Sequence, residues 1–524
     1  MDTPRRRLSP LRLIILLAVT TVAGAVVWFQ VAAAYSRISQ PAVTTWFAPY
    51  VDATLAPSYD FEDPLVSPSR YSVLGFVVAG IGQPCQPTWG TYFNLTGAEE
   101  QLDLDRRIVK LRERGGDVIV SFGGAANTEL SVGCTSMRKL VGAYRTVINR
   151  YGVRTIDFDI EGADLTNAAA NARRAAAVRT LQQAADRAGR PLAVWLTLPV
   201  APSGLDSSGL AVVNEMLSAG VKLTGVNAMI MDYGSSLPAG ESMATANGTA
   251  LRGLFRQLKL TYHRHGQQLT SSQVWERMGA TPMIGQNDVP GEAFSLSDAR
   301  ALVTLARQVH LGRVSMWSAN RDYPCGSDVN GDRVSNVCSG VAQSPLEFAW
   351  EFDTLDAPLP GHVSAPAGTL TDPPPSRDNP LTSPYGIWAP ALIYTLGDKV
   401  VWQGEVYEAK WWNQASVPNQ PVAHPWDTPW RDLGPVLPSD TSELNPSKLR
   451  TPGSWAASQV YLAGDRVIYH GQVFQARWWT QDQEPIAQPL RPAEATWVLV
   501  PRTRNHAGNL GKHKIHAHGG APQP

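Results

Sequence analysis

Eight consecutive residues decide the fold of this sequence: Thr155-Ile156-Asp157-Phe158-Asp159-Ile160-Glu161-Gly162. Alternate side chains of a β-strand share a face, so the three acidic residues point one way and the apolar residues between them point the other. Three carboxylates on one face of an apolar strand would be costly in a plain core. A solvent-facing edge strand is the alternative, and the apolar alternation argues against it. Because neighbouring like charges resist ionising together, we expect one carboxyl to stay protonated near neutral pH, as a general acid requires.

This strand is the fourth of eight short β-branched segments that alternate with longer amphipathic ones from residue 46 to about 356. The predicted strands are 46–51, 71–78, 118–123, 155–161, 193–198, 225–232, 282–285 and 314–318. The predicted helices include 102–114, 137–150, 171–188, 209–219, 243–263 and 296–310, and the last begins with Ser295-Leu296-Ser297-Asp298, which resembles a helix-capping start. The pattern indicates an α/β fold, a (β/α)8 TIM barrel, with Glu161 at the strand end where barrel active sites form. A doubly wound open sheet is the alternative, but it usually has a Gly-rich turn after its first strand, and none is present.

Composition narrows the class of protein. The chain has 524 residues, of which 44% are hydrophobic, so several folded units with a sizeable core are expected. Its 45 basic residues balance 45 acidic ones, and a formally neutral chain has no broad field to gather nucleic acid. We therefore expect the partner to be a neutral polymer rather than nucleic acid. We also expect the protein to be a monomer and to need no cofactor.

The N-terminus predicts export. Arg5, Arg6, Arg7 and Arg12 precede an apolar run at 13–31 that ends in small residues, as before a signal-peptidase site. Residues 1–34 are therefore interpreted as a signal peptide, with an uncleaved membrane anchor as the alternative. An exported chain favours disulfides, and the four cysteines pair best as Cys325 with Cys338 and Cys85 with Cys134.

The rest of the chain is modular. We assign 45–356 to the barrel, 357–384 and 438–452 to Pro-rich linkers, and 503–524 to a disordered tail with four histidines. Between them lie two copies of one small all-β module, 385–437 and 453–502. Trp388 recurs as Trp455 and Trp430 as Trp497, both at an offset of 67 residues. The segment Asp328–Asp332 resembles the start of a calcium loop, but Arg333 replaces its glycine, so no metal site is predicted.

The first module and its repeat are rich in aromatic side chains. Ten of the 17 tryptophans lie between Trp388 and Trp497, too many for such small modules to bury. We assign Trp388, Trp430, Trp455 and Trp497 to their cores. Exposed rings stack on the apolar faces of sugars, so Trp411, Trp412, Trp478 and Trp479 are candidate sugar-binding residues, and strand alternation predicts one outward and one inward ring in each pair. The modules resemble carbohydrate-binding modules of families 5 and 12.

In the barrel, four sequence elements together resemble glycoside hydrolase family 18, the chitinases and related endoglycosidases. They are the acidic strand at 155–162, Ser121-Phe122-Gly123-Gly124, Met229-Ile230-Met231-Asp232-Tyr233 and Trp317. The resemblance places Ser121, Gly123, Gly124, Met231 and Trp317 at the substrate. Many members have Tyr where this chain has Met231, so Tyr233 is the candidate to supply that hydroxyl.

The resemblance implies a retaining mechanism in which the substrate takes part. Glu161 would protonate the leaving oxygen, and the N-acetyl carbonyl of the sugar would attack the anomeric carbon. Asp159 would orient the acetamido group, Asp157 would share a proton with it, and Asp232 would bind the acetamido group or the acid pair. The expected function is a secreted chitinase acting on chitin or a related N-acetylglucosamine polymer. An endo-β-N-acetylglucosaminidase acting on N-glycans and a non-catalytic chitin-binding protein are the alternatives.

Overall fold

The computed structural model describes most of the barrel and parts of both modules. The described residues are 45–64, 66–326, 334–355, 378–379, 383–422, 424–440, 453–457, 459–461, 466–470, 472–476, 480, 482–485 and 496–499. The predicted export segment, the loop that resembles a calcium site, most of both linkers, Trp478, Trp479 and the histidine-containing tail lie outside them.

The strands of the barrel region are short, and nearly all are buried. They are β1 (Trp46–Phe47), β2 (Tyr50–Asp52), β3 (Tyr71–Gly80), β4 (Gln83–Trp89), β5 (Phe93–Asn94), β6 (Asp117–Gly123), β7 (Thr155–Asp159), β8 (Ala193–Pro199), β9 (Gly225–Met229), β10 (Met278–Thr281), β11 (Gly285–Gln286), β12 (Ala293–Phe294) and β13 (Arg313–Val314). The helices are α1 (Leu95–Leu102), α2 (Leu104–Glu113), α3 (Leu130–Gly133), α4 (Met137–Tyr151), α5 (Gly162–Thr166), α6 (Ala168–Arg187), α7 (Ser207–Ser218), α8 (Met243–Arg264), α9 (Ser271–Trp275), α10 (Leu296–Val309) and α11 (Glu347–Asp353).

A closed parallel barrel is formed, as predicted. Its strands run in the order β1-β13-β10-β9-β8-β7-β6-β3, and β2 pairs in parallel with β3. The first strand is therefore interrupted between Phe47 and Tyr50: its first part pairs with the last strand and its second part with the next strand along the chain. This arrangement closes the ring of a (β/α)8 barrel.

One strand lies where it was not predicted. The seventh barrel strand is Met278–Thr281 rather than 282–285, and Gly285–Gln286 instead pairs with Ala293–Phe294 in a two-stranded hairpin. Pro282 follows the strand directly and has no N–H to donate to a sheet. The prediction thus placed this strand four residues too late, although Met283 still forms a parallel bridge with Trp317.

Two cores lie on opposite sides of the barrel strands. A large apolar layer between strands and helices includes Ile156, Phe158 and Ile160, and a small interior cluster includes Trp46, Tyr50 and Trp195. The alternation predicted for the fourth strand is thus confirmed. The capping start at Ser295 is also confirmed, since Ser295 and Asp298 form a reciprocal capping box on α10.

Both predicted disulfides are present in the structure, Cys85–Cys134 and Cys325–Cys338. The first links strand β4 to the end of α3, and the second closes a loop after the last barrel strand. Among the helices of the described ranges, none is long and apolar enough to cross a membrane.

The chain divides into two compact units. The first holds the barrel with residues 387–438, and the second holds 379–386 and the segment from 439 onward. The strands of the first module are β14 (Gly386–Ile387), β15 (Ile393–Tyr394), β16 (Lys399–Trp402), β17 (Glu405–Ala409), β18 (Asn413–Gln414) and β19 (Trp430–Pro435). Those of the second are β20 (Gly453–Ser454), β21 (Arg466–Tyr469), β22 (Gln472–Ala476) and β23 (Trp497–Leu499). Each module contains antiparallel strands around a small aromatic core.

Candidate active site

The acidic residues of the fourth barrel strand point into the barrel, away from the helices. Asp157 is fully buried, Asp159 is nearly so, and Glu161 is partly exposed just beyond the strand end. Glu161 keeps an extended backbone (φ −134°, ψ 167°) before helix α5 begins. The three carboxyl groups therefore lie at increasing height, from the barrel interior to its C-terminal opening, where the active sites of such barrels form.

Asp157 accepts hydrogen bonds from four side chains on four other strands. Its Oδ2 accepts from the Tyr50 hydroxyl at 2.9 Å and from Ser121 Oγ at 2.7 Å. Its Oδ1 accepts from Thr197 Oγ1 at 2.8 Å and from Arg313 Nη1 at 3.1 Å. Both oxygens are satisfied and a guanidinium balances the charge, so the surroundings favour a buried carboxylate.

Asp159 and Glu161 form a second, proton-holding pair. Burial, then the charge of Glu161, raises the pKa of Asp159 well above its ordinary value. Burial, then the charge of Asp232, raises the pKa of Glu161 to about 7. A side-chain hydrogen bond joins the two groups, and it raises the pKa of Asp159 while lowering that of Glu161. Because both pKa values are raised, the pair holds a proton near neutral pH.

The resemblance implies that Asp157 shares a proton with Asp159, whereas in the structure the hydrogen-bond partner of Asp159 is Glu161. The side-chain hydrogen bond of Asp159 goes to Glu161, and the four donors of Asp157 are Tyr50, Ser121, Thr197 and Arg313. Asp157 acts on Asp159 through its charge, which raises the pKa of Asp159.

Two glycines on the neighbouring strand allow this close packing. Gly123 and Gly124 have φ of +104° and +85°, which disfavours other residues. A Cβ on Gly123 would lie 2.1 Å from the Asp159 carbonyl oxygen, and one on Gly124 would lie 2.7 Å from the Phe76 ring. The Gly124 N–H donates to the same carbonyl at 3.0 Å. These glycines fix the backbone next to Asp159.

Ser121 was predicted to touch substrate, and the structure corrects this role. Its side chain is fully buried, and its hydroxyl donates to Asp157. Because strand alternation turns it into the barrel below the opening, it positions the acidic residues instead. Gly123 is buried as well, whereas Gly124 is partly exposed.

The sixth strand contributes Asp232 and Met231 but not the Tyr233 hydroxyl. Asp232 is half-buried with φ +51°, and its Oδ1 accepts from Val289 N–H at 3.1 Å. Burial raises its pKa, and its charge acts on Glu161. Met231 is buried beside it. The predicted catalytic role of Tyr233 is wrong in this geometry, since its buried hydroxyl donates to Asn247 at 2.7 Å within the helix layer.

Trp317 is partly exposed at the end of the eighth strand, as expected for a surface that meets substrate. It stacks on Phe76 with ring centroids 5.5 Å apart and meets Tyr50 edge-on at 6.1 Å. The stack joins the interior aromatic cluster, so the indole is held in one orientation.

Arg313, Tyr50 and Thr197 were missed from the sequence. Arg313 is fully buried, and its guanidinium lies 5.4 to 5.5 Å from the ring centroids of Trp46, Tyr50 and Trp195. The signal was available: residues 313, 315 and 317 alternate along the eighth strand, but that strand was begun one residue too late, at 314. A strand started at Arg313 would have placed a cation on the same face as Trp317.

The tryptophan pair of the first module is more exposed than alternation predicts. Trp411 is 43% exposed and Trp412 is 59% exposed, so the expected inward ring is absent here. Both follow the end of β17, where strand geometry no longer applies. Trp426 is 69% exposed and was not singled out, while Trp388, Trp430 and Trp497 are buried and Trp455 is partly buried.

Within the residues that the structure describes, no group of three or more His, Cys, Asp or Glu side chains is placed to hold a metal ion.

Comparison with known proteins separates the two parts of the chain. Residues 387–431 and 454–498 match the model of carbohydrate-binding module family 5/12. The chain is 35% identical over 291 residues to a probable bifunctional chitinase/lysozyme of Escherichia coli and 34% identical over 285 residues to endochitinase 11 of Metarhizium anisopliae. The catalytic domain of a hyperthermophilic chitinase from Pyrococcus furiosus is 28% identical, with a TM-score of 0.51, and the match covers 96% of that domain and 60% of this chain.

The chain is therefore similar in sequence to two chitinases and in fold to the catalytic domain of a third. The matches to the two curated relatives cover 54% and 53% of this chain, but only 32% and 52% of the relatives' own lengths. The chain is thus similar to these relatives only in part, and after its barrel it carries two segments that match carbohydrate-binding module family 5/12.

Proposed function

We propose that this chain is a secreted chitinase that hydrolyses β-1,4-linked N-acetylglucosamine polymers by a retaining, substrate-assisted mechanism. The observation that carries the proposal is the hydrogen-bonded pair of Asp159 and Glu161 above the Asp157 carboxylate, with the pKa of Glu161 raised to about 7. A carboxylic acid that remains protonated near neutral pH at the barrel opening suits protonation of a glycosidic oxygen.

The proposed steps use groups whose positions are described above. Glu161 gives its proton to the leaving oxygen while the substrate's N-acetyl carbonyl oxygen attacks the anomeric carbon, which forms an oxazolinium ion. The Glu161 carboxylate then takes a proton from water, which adds to the anomeric carbon and reopens the ring with the original configuration. Asp159 orients the acetamido group, and its Oδ1 is buried with no protein hydrogen-bond partner. Asp232 and Trp317 bind the sugar at the cleavage point.

Export is supported by the arginine-led apolar N-terminal segment and by two disulfides, which persist in oxidising compartments. The two family 5/12 modules support an insoluble polymer as the substrate, because linked binding sites raise the local concentration of the enzyme on a surface.

The test is hydrolysis of colloidal chitin compared with its deacetylated form. Acetylated polymer should yield N-acetylchito-oligosaccharides whose newly formed ends first appear as the β-anomer, and fully deacetylated polymer should be resistant, since it lacks the attacking carbonyl. Release of N-glycans from a high-mannose glycoprotein without action on chitin would instead indicate an endo-β-N-acetylglucosaminidase. Chitin binding without any hydrolysis would indicate a binding protein.

The rate of hydrolysis should fall as the pH rises through about 7. Glu161 must be protonated to act as the acid, and its pKa is raised to about 7, so the competent form is present below that pH and is lost above it. The measurement is the pH profile of kcat on a soluble chito-oligosaccharide. A rate that stays constant well into the alkaline range would contradict the assignment of Glu161 as the acid.

Replacing Trp411 and Trp412 together by Ala should weaken binding to chitin by about tenfold, because truncating a contact aromatic commonly costs more than about 1 kcal/mol. Both rings are exposed, so their loss leaves the module core intact. The second module remains, so binding should be reduced rather than abolished. Trp350→Ala removes a ring that is 55% exposed on the barrel and serves as the matched control. An equal loss in both variants would count against a sugar-binding role.

A further inference from the structure

The first carbohydrate-binding module packs closely against one barrel helix. Strand β19 lies against helix α2, and Arg106 Nη1 on the helix donates to the Pro435 carbonyl at 3.0 Å. A Cβ on Gly434 would lie 2.8 Å from the Arg106 carbonyl oxygen and 3.0 Å from Lys110 Cβ. Gly434 has φ +115°, so backbone meets backbone at a point where a side chain would not fit.

Three ion pairs surround this contact, and both the barrel region and the module contribute cations and anions to them. Lys110 on the helix pairs with Asp432 of the module at 2.6 Å, and Arg431 of the module pairs with Asp60 of the barrel region at 2.5 Å. Lys399 of the module pairs with Asp103, which caps the same helix. All six side chains are at least two-thirds buried. Opposite charges held this far from solvent fix the register of an interface more strongly than exposed pairs do.

The second module provides an internal comparison. At the constant offset of 67 residues, Arg431 corresponds to Val498, Asp432 to Leu499 and Gly434 to Pro501. Lys399 corresponds to Arg466, so one of the docking charges is kept. The segment of the second module that corresponds to β19 therefore has neither the two charged residues nor the glycine. Three aromatic residues of the core are kept, since Trp388, Tyr394 and Trp430 correspond to Trp455, Tyr461 and Trp497, so the difference concerns the docking surface and not the module fold.

We propose that the first module is a fixed part of the catalytic unit, docked on the barrel through β19, and that this docking surface is absent from the second copy. The two modules then have different tasks. The docked copy holds Trp411 and Trp412 in a constant position relative to the barrel, whereas the second serves as a tether. The statement that the modules bind chitin rests on the proposed function, whereas the docking of the first module on the barrel does not.

The experiment is zero-length carbodiimide crosslinking of the full chain, without chitin, followed by peptide mass spectrometry. This reagent joins an amine to a carboxylate in direct contact, so the ion pairs predict crosslinks from Lys110 to Asp432 and from Lys399 to Asp103. Failure to find any crosslink between helix α2 and the first module would overturn the proposal, whatever the chain hydrolyses.

The double variant Arg431→Val/Asp432→Leu sharpens the test, because it places in the first module the residues that the second already carries at these positions. We expect the Lys399–Asp103 crosslink to fall by about tenfold although neither residue is changed, since truncating buried interfacial charges frees the docked surface. Gln420→Leu is the control: it replaces an exposed polar side chain of the same module by an apolar one, and should leave the crosslink unchanged. An undiminished crosslink in the double variant would contradict docking through β19.

The same variants separate docking from catalysis. Arg431→Val/Asp432→Leu should hydrolyse soluble chito-oligosaccharides at the native rate and lose activity on insoluble chitin. Equal loss on both substrates would show that the exchange damages the barrel, and would overturn the assignment of this strand to docking.

Discussion

Glu161→Gln should lower kcat for chitin hydrolysis by about 10²- to 10⁴-fold, the usual contribution of a positioned general acid–base group. Glutamine keeps the size and polarity of the side chain but has no acidic proton to give to the leaving oxygen. The amide group can still form a hydrogen bond with Asp159, so the neighbouring carboxyl group remains in place. The measurement is the initial rate on a soluble chito-oligosaccharide near pH 6.

Binding to chitin should be unchanged in the same variant, because the modules are untouched. Glu100→Gln makes the same chemical change on exposed helix α1 and should keep the native rate. A Glu161→Gln enzyme within a factor of about ten of the native rate would remove Glu161 from the role of acid.

Arg313→Met should destabilise the barrel by about 3–5 kcal/mol, because breaking a buried ion pair leaves an uncompensated charge. Arg313 and Asp157 are both fully buried, and Arg313 is the guanidinium partner of that carboxylate. Urea unfolding can be followed by the circular dichroism signal of α-helix. This signal reports on the barrel, because the described residues of the two modules include no α-helix.

Two further variants identify the cause of this loss. Asp157→Asn in the Arg313→Met background removes the uncompensated charge and should recover a large part of the stability, whereas independent effects would add. Arg145→Met on the exposed face of α4 should change the free energy of unfolding by less than about 0.5 kcal/mol. An Arg313→Met protein as stable as the native one would contradict the ion pair's role.

The features that follow from local periodicity could be predicted from the sequence. The barrel, the inward face of the acidic strand and the capping box at Ser295 each depend on spacing within a few residues, and all three are confirmed. The pairing of Cys325 with Cys338 was suggested by proximity along the chain and is also confirmed.

The features that depend on distant contacts could not be predicted. The Tyr233 hydroxyl donates to Asn247 on helix α8. The helix could be predicted from the sequence, but the contact between these two side chains could not. Likewise, the donors of Asp157 come from positions 50, 121, 197 and 313, and only the closed ring brings them together. The docking of the first module was missed because its charges occur singly in the sequence and acquire partners only through the tertiary fold.

The interrupted first strand determines the stage of synthesis at which the donors to Asp157 come together. Tyr50 lies in the second half of that strand, and Arg313 lies on the last strand, which pairs with its first half. The Asp157 carboxylate therefore has its full set of donors only after the two ends of the ring have met. A nascent chain that ends before residue 313 contains Glu161 but not the cation that pairs with Asp157. The candidate active site is thus completed late in synthesis, when the barrel closes.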